Sequence, residues 1–129
     1  MSNKKILIVE DDADVRLGYQ VLLKANSYDT FFAADSISAI SEARKQMPDL
    51  IILDLGLPAG YGHVVLERLR GSVNMDLGGI PVVVVSGRDL RGNKERALKG
   101  GAKAFLQKPW DDDELLSLIA RLRVPPAPA

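Results

Sequence analysis

Four short apolar runs constrain this chain more than any other feature: Ile6-Leu7-Ile8-Val9, Leu50-Ile51-Ile52-Leu53, Val82-Val83-Val84-Val85 and Ala104-Phe105-Leu106. They are largely β-branched and continuous instead of alternating, the pattern of strands buried on both faces of a parallel sheet. Tyr28 to Ala33 supplies a fifth strand. Parallel neighbours need long crossovers, and the segments between the runs have helical period. Val15, Gly18, Tyr19 and Leu22 fall on one face, as do Val65, Leu66 and Leu69, and Leu115, Leu118, Ile119 and Leu122. Ile37, Ile40 and Ala43 follow Asp35-Ser36, which can cap a helix, and Leu90 to Lys99 runs into Gly100-Gly101, which stops one. Right-handed crossovers then place helices on both faces. The spacing predicts an α/β fold, a (βα)5 doubly wound, flavodoxin-like arrangement with a five-stranded parallel sheet in the order 2-1-3-4-5.

With 129 residues, 47% of them hydrophobic, the chain is expected to form one domain over residues 1–123. Residues 124–129, Val-Pro-Pro-Ala-Pro-Ala, read as a tail or the start of a linker. Seventeen basic residues balance seventeen acidic ones, so no cationic footprint for direct nucleic-acid binding is present. The lack of cysteine excludes disulfides, thiolate metal sites and a cysteine nucleophile, and fits a cytoplasmic setting. The first apolar run is too short for a signal-peptide core or a membrane span, so no membrane association is expected.

The chemistry gathers where the strands end. Glu10-Asp11-Asp12 follows the first run, Asp54 the third strand, Ser86 the fourth, and Lys108-Pro109 the fifth. In a doubly wound sheet the first and third strands are neighbours, so three carboxylates approach one another. Like charges so placed raise one another's pKa unless a cation neutralises them. Hard oxygen ligands with room for water suit Mg2+, with Asp11 preferred as ligand and Asp12 or Asp14 left to cap the following helix. The Lys108 ammonium and the Ser86 hydroxyl are groups that a transferring phosphoryl group uses as charge spreads over its oxygens. Each of these residues has an ordinary reading as a turn or loop residue; together at one edge they make a phosphoryl site.

From about Lys5 to Leu122 the sequence resembles the receiver domain of two-component response regulators. The matching stretches are Ile6 to Asp12, Pro48 to Asp54 followed by Leu57-Pro58 and Gly62, Ile80 to Gly87, and Gly100 to Pro109. The resemblance implies that Asp54 is the phosphoacceptor (a 4-aspartylphosphate), Asp11 a direct Mg2+ ligand and Glu10 a ligand mainly through water, with the Gly56 backbone carbonyl completing the protein's share. It makes Ser86 and Lys108 the partners of phosphoryl oxygens, the peptide before Pro109 cis, and Phe105 the switch aromatic. By this resemblance the chain is a phosphoacceptor that catalyses its own phosphorylation and dephosphorylation. Its donor is a phosphohistidine of a sensor histidine kinase or phosphotransfer protein, attacked in line by Asp54. Ser86 moving to the phosphoryl group vacates space for Phe105, repacking the face of the fourth helix, fifth strand and fifth helix to control a downstream partner, with a phosphorylation-dependent dimer allowed.

The chain departs from the family at several points. Phe105 lacks the hydroxyl of the tyrosine often found there, and Tyr61 stands where aspartate is common. Ala102-Lys103-Ala104 replaces the paired aspartates of one dimerising subfamily. Gly56 and Arg88 occupy positions that resemble the family's tuning sites for phosphoryl lifetime. His63 reads as a solvated helix-start residue, Asp111 to Glu114 as dipole-complementing charge, and Trp110 equally as core or as a docking residue. An aspartate-nucleophile phosphatase of the haloacid dehalogenase type would need a second acid where Gly56 stands. A flavodoxin-like electron carrier would need a phosphate loop where Glu10-Asp11-Asp12 stands. A phosphorylation-independent interaction module would not require the intact set of Asp11, Asp54, Ser86 and Lys108.

Overall fold

The computed structural model describes residues 3–57, 61–71, 75–87, 92–122 and 124. Pro58, Arg88 and residues 125–129 lie outside them, as does the side chain of Tyr61. Five parallel strands, β1 (Lys4–Val9), β2 (Tyr28–Ala33), β3 (Leu50–Asp54), β4 (Val82–Ser86) and β5 (Ala104–Gln107), form one sheet in the order β2-β1-β3-β4-β5. The helices are α1 (Ala13–Ala25), α2 (Ser36–Gln46), α3 (Tyr61–Arg70), α4 (Met75–Gly78), α5 (Asn93–Lys99) and α6 (Asp112–Arg121). The single turn α4 was not expected, so the fourth and fifth helices of the sequence reading are α5 and α6. None of the helices among the described residues is long and apolar enough to cross a membrane.

Strand alternation divides the core in two. Leu7, Val9, Ile51, Leu53, Val82 and Val84 point to one face, where α2, α3 and α5 cover them with Ala39, Ile40, Val65, Leu66, Leu69 and Ala97. Ile6, Ile8, Leu50, Ile52, Val83 and Val85 point to the other, under Tyr19 and Leu23 of α1 and Leu115 and Ile119 of α6. Covering both faces is what makes continuous apolar runs stable as strands.

Local signals set the element ends. Asp12 caps α1 by accepting from the Asp14 and Val15 amides, Asp35 forms a reciprocal capping box with Ser38, and Asp111 caps α6. Gly100 ends α5, and Gly101 adopts the positive φ (102°) that closes the turn. α5 spans Asn93–Lys99 with Gly92 at its N-cap, and Leu90, from which the period ran, lies outside the described residues.

Two helical faces keep most of their expected residues, Val15, Tyr19 and Leu22 in α1 and Ile40 and Ala43 in α2, but differ at single positions. In α1 the buried pair is Tyr19 and Leu23 while Gly18 faces solvent, and in α2 Ala39 joins Ile40 and Ala43 while Ile37 is 77% exposed. In both cases small or apolar residues at neighbouring angles left the margin of the face open to the packing. At the other end of the chain, Val124 is buried beside α6 and its carbonyl accepts from Tyr28 Oη at 2.7 Å. Packing thus extends one residue past the boundary expected at 123.

Candidate functional site

The carboxyl ends of β1, β3, β4 and β5 lie side by side, with Val9 opposite Leu53, Asp54 opposite Val85 and Ser86 opposite Gln107. Asp54 and Ser86 are the last residues inside their strands, so backbone pairing fixes them. The Leu55 amide bonds the Val85 carbonyl and the Lys108 amide bonds the Ser86 carbonyl. Alternation sends Glu10, Asp54 and Lys108 to the face covered by α1 and α6, and Ser86 and Phe105 to the face covered by α5. Phe105 packs, half-buried, against that second core.

Carboxylate oxygens of Glu10, Asp11 and Asp54 lie within 4.8 Å of one another, with Glu10 and Asp54 buried and Asp11 exposed. Lys108 Nζ reaches Glu10 Oε1 at 2.9 Å and Asp54 Oδ2 at 3.5 Å. Burial, and then the hydrogen bond it shares with Asp54, hold the Glu10 carboxyl above the usual carboxylate range despite Lys108. Burial also pulls the Lys108 ammonium down, but the hydrogen bond to Glu10 and the charges of Asp54 and Glu10 outweigh it, so Lys108 is raised and stays protonated. The cluster sets three acids, with hard oxygen atoms and one solvent-facing side, against one ammonium. That donor set fits a divalent cation such as Mg2+.

Smaller contacts hold the cluster in place. The Gly56 amide donates to Asp54 Oδ1 at 2.8 Å, and a Cβ on Gly56 would stand 3.2 Å from that oxygen. At Gly62 a Cβ would meet Leu55 Cα at 2.8 Å and the Asp54 carbonyl at 2.9 Å, so only glycine lets α3 begin this close to the end of β3. Arg16 Nη1 holds the Glu10 carbonyl at 2.9 Å, a positioning contact that the sequence reading did not include. The Lys108-Pro109 peptide is cis.

Trp110, left open between core and docking residue, stacks on Tyr19 with ring centroids 4.9 Å apart and stays half-buried. Tyr19 was read only as an apolar helix position. Its buried hydroxyl, which the charges of Glu10 and Asp54 reach, is not marked by that period, although a tyrosine on an otherwise aliphatic stripe is itself a signal. His63 is half-buried against α5 instead of solvated: burial, then the Arg96 charge, lower its pKa, with an Asn93 hydrogen bond opposing. Asp112, Asp113 and Glu114 occupy the first turn of α6 as expected of dipole-complementing charge.

Fold and acid cluster together define a class: residues 6–120 match the response regulator receiver domain family, and the chain belongs to it. Among named relatives it is 39% identical over 119 residues to the KDP operon transcriptional regulatory protein KdpE of Escherichia coli, covering 92% of this chain and 49% of that protein. It is 35% identical over 117 residues to the phosphate regulon transcriptional regulatory protein PhoB of the same organism, covering 90% and 50%. The chain therefore spans about half the length of these two relatives, and only 25% of the response regulator PleD of Caulobacter vibrioides. Of solved structures, it superposes with a TM-score of 0.83 and 27% identity on the receiver domain of sensor histidine kinase PA1611 from Pseudomonas aeruginosa, over 93% of this chain and 97% of that one. That structure has a magnesium ion coordinated in its active site cleft.

Proposed function

We propose that this domain is a Mg2+-dependent phosphoacceptor switch in which Asp54 takes a phosphoryl group from a phosphohistidine of a sensor histidine kinase or phosphotransfer protein. The observation that carries the reading is the Lys108 ammonium lying between Glu10 and Asp54, beside three carboxylates that converge within 4.8 Å. An Asp54 carboxylate oxygen attacks phosphorus in line; the O–P bond forms as the P–N bond breaks, and the imidazole leaves. Glu10, Asp11, Asp54 and the Gly56 carbonyl would hold Mg2+, which supplies charge neutralisation for the phosphoryl oxygens.

The chain's own residues do the rest. Lys108 turns from Glu10 to a phosphoryl oxygen, and the Ser86 hydroxyl donates to another. Ser86 lies on the same face of the sheet as Phe105, so its movement frees room for that ring and repacks the surface of α5, β5 and α6, where a downstream partner or output domain would bind. Water then hydrolyses the acyl phosphate and returns Asp54 to a carboxylate, so the domain regulates through its own modification and turns over no separate substrate. A protein donor is favoured by a groove of about 1,110 Å³ beside the site, lined in part by Leu17, Val21, Lys108 and Trp110, with Leu17 and Val21 exposed.

Incubation with Mg2+ and acetyl phosphate or phosphoramidate, followed by intact-mass measurement, should show one added phosphoryl group that is absent in Asp54→Ala. No adduct with any donor, together with no Mg2+ binding, would overturn the reading.

A further inference from the structure

Among the described residues, Tyr19 Oη is the one buried side-chain polar atom without a hydrogen-bond partner. The residue is 3% exposed. An unpaired hydroxyl in a core is costly, and an aliphatic or phenylalanine side chain would fill the same space without that cost. The position gives the hydroxyl a use. α1 packs on the face of the sheet that carries Ile8, Ile52 and Val85, and alternation places Glu10, Asp54 and Lys108 on that same face at its carboxyl edge. The Tyr19 ring stacks on Trp110, two residues after Lys108, so the aromatic pair ties α1 to the segment that carries the ammonium. Burial, then the nearby charges of Glu10 and Asp54, push the phenol pKa up, so the group stays a neutral O–H donor.

Glu10 is 1% exposed and takes its charge-paired hydrogen bond from Lys108. Under the phosphoacceptor reading, on which this inference rests, Lys108 leaves for the phosphoryl group and Glu10 loses its strongest donor, keeping the longer contact from the Asp12 amide at 3.4 Å. We propose that Tyr19 is a positioning residue of the phosphoryl site, whose hydroxyl donates to the Glu10 carboxylate when Lys108 turns to the phosphoryl group on Asp54. The hydroxyl is then unpaired in the resting state and paired in the phosphorylated one, which biases the domain toward the phosphorylated arrangement.

The test compares the wild-type chain with Tyr19→Phe and Tyr19→Leu, each with Mg2+ and phosphoramidate, by intact mass and by thermal melting before and after modification. Resting Tyr19→Phe should melt at or above the wild-type temperature, yet need about tenfold more phosphoramidate to reach half-modification, the effect of one lost hydrogen bond to a charged group. Its melting temperature should also rise less on modification than the wild type's. Tyr19→Leu removes the stacked ring and should lower the melting temperature in both states, which is the signature of a purely structural role. The proposal is overturned if Tyr19→Phe matches wild type in donor dependence and in the rise on modification, or if it loses as much resting stability as Tyr19→Leu. A wild-type chain that forms no adduct removes the phosphoacceptor reading itself, and this role with it.

Discussion

Lys108 has the most to do of any single side chain. Among the described residues it is the cation that pairs with both the Glu10 and the Asp54 carboxylates, and the proposed reaction moves it from one charge to another. Lys108→Ala should slow phosphorylation by acetyl phosphate about a hundredfold or more, as loss of one preorganised oxyanion donor does, with the far-ultraviolet circular dichroism unchanged. Intact-mass time courses measure the rate. His63 makes a different kind of prediction. Its folded pKa is depressed below the ordinary 6.5, chiefly by burial, so the unfolded chain binds the proton more readily. The stability it contributes is complete above pH 6.5 and is lost as the pH falls through the folded pKa. Urea midpoints measured between pH 7.5 and 5.5 should therefore fall less steeply for His63→Gln than for wild type.

Arg70 makes three polar ties between elements. From the end of α3 its Nε reaches the Gly101 carbonyl at 3.3 Å, Nη1 the Gly78 carbonyl at 2.6 Å and Nη2 the Ile80 carbonyl at 3.1 Å. One planar guanidinium thus fastens α3 to α4, to the segment entering β4 and to the turn between α5 and β5. Arg70→Met keeps the aliphatic stem but strands three carbonyls in a partly buried place. It should cost about 2 kcal/mol in urea unfolding while leaving the acid cluster intact. Helix capping, by contrast, was legible from the sequence, because Asp35-Ser36 and Gly100-Gly101 carry their meaning within one turn of chain. The margins of the α1 and α2 faces were not: Leu23 and Ala39 are buried, and Gly18 and Ile37 exposed, because of the sheet beneath, which no local period describes.

For the whole molecule, the sheet divides the two cores, and Val124 is part of one of them. Tyr28 on the edge strand β2 donates to the Val124 carbonyl at 2.7 Å across 96 residues of sequence. Tyr28→Phe leaves that buried acceptor unpaired and should lower stability by about 1–2 kcal/mol. Denaturant titration measures it, and no change would mean that the domain ends before Val124. The match to residues 6–120 places this chain in the response regulator receiver domain family.

The sequence by itself determined the strands, most of the helices, the parallel order and the meeting of Glu10, Asp11, Asp54 and Lys108 at one sheet edge. Continuous apolar runs and strand-end acids are local patterns, and right-handed crossovers leave little freedom in assembling them. Tertiary structure alone decided which charges pair. Lys108 meets Glu10 across 98 residues, Arg16 meets the Glu10 carbonyl, Trp110 meets Tyr19, and the Tyr19 hydroxyl is buried without a partner. Partners such as these depend on the register of one strand against the next and on the rotation of each helix over the sheet. Those quantities arise only when the whole core packs at once.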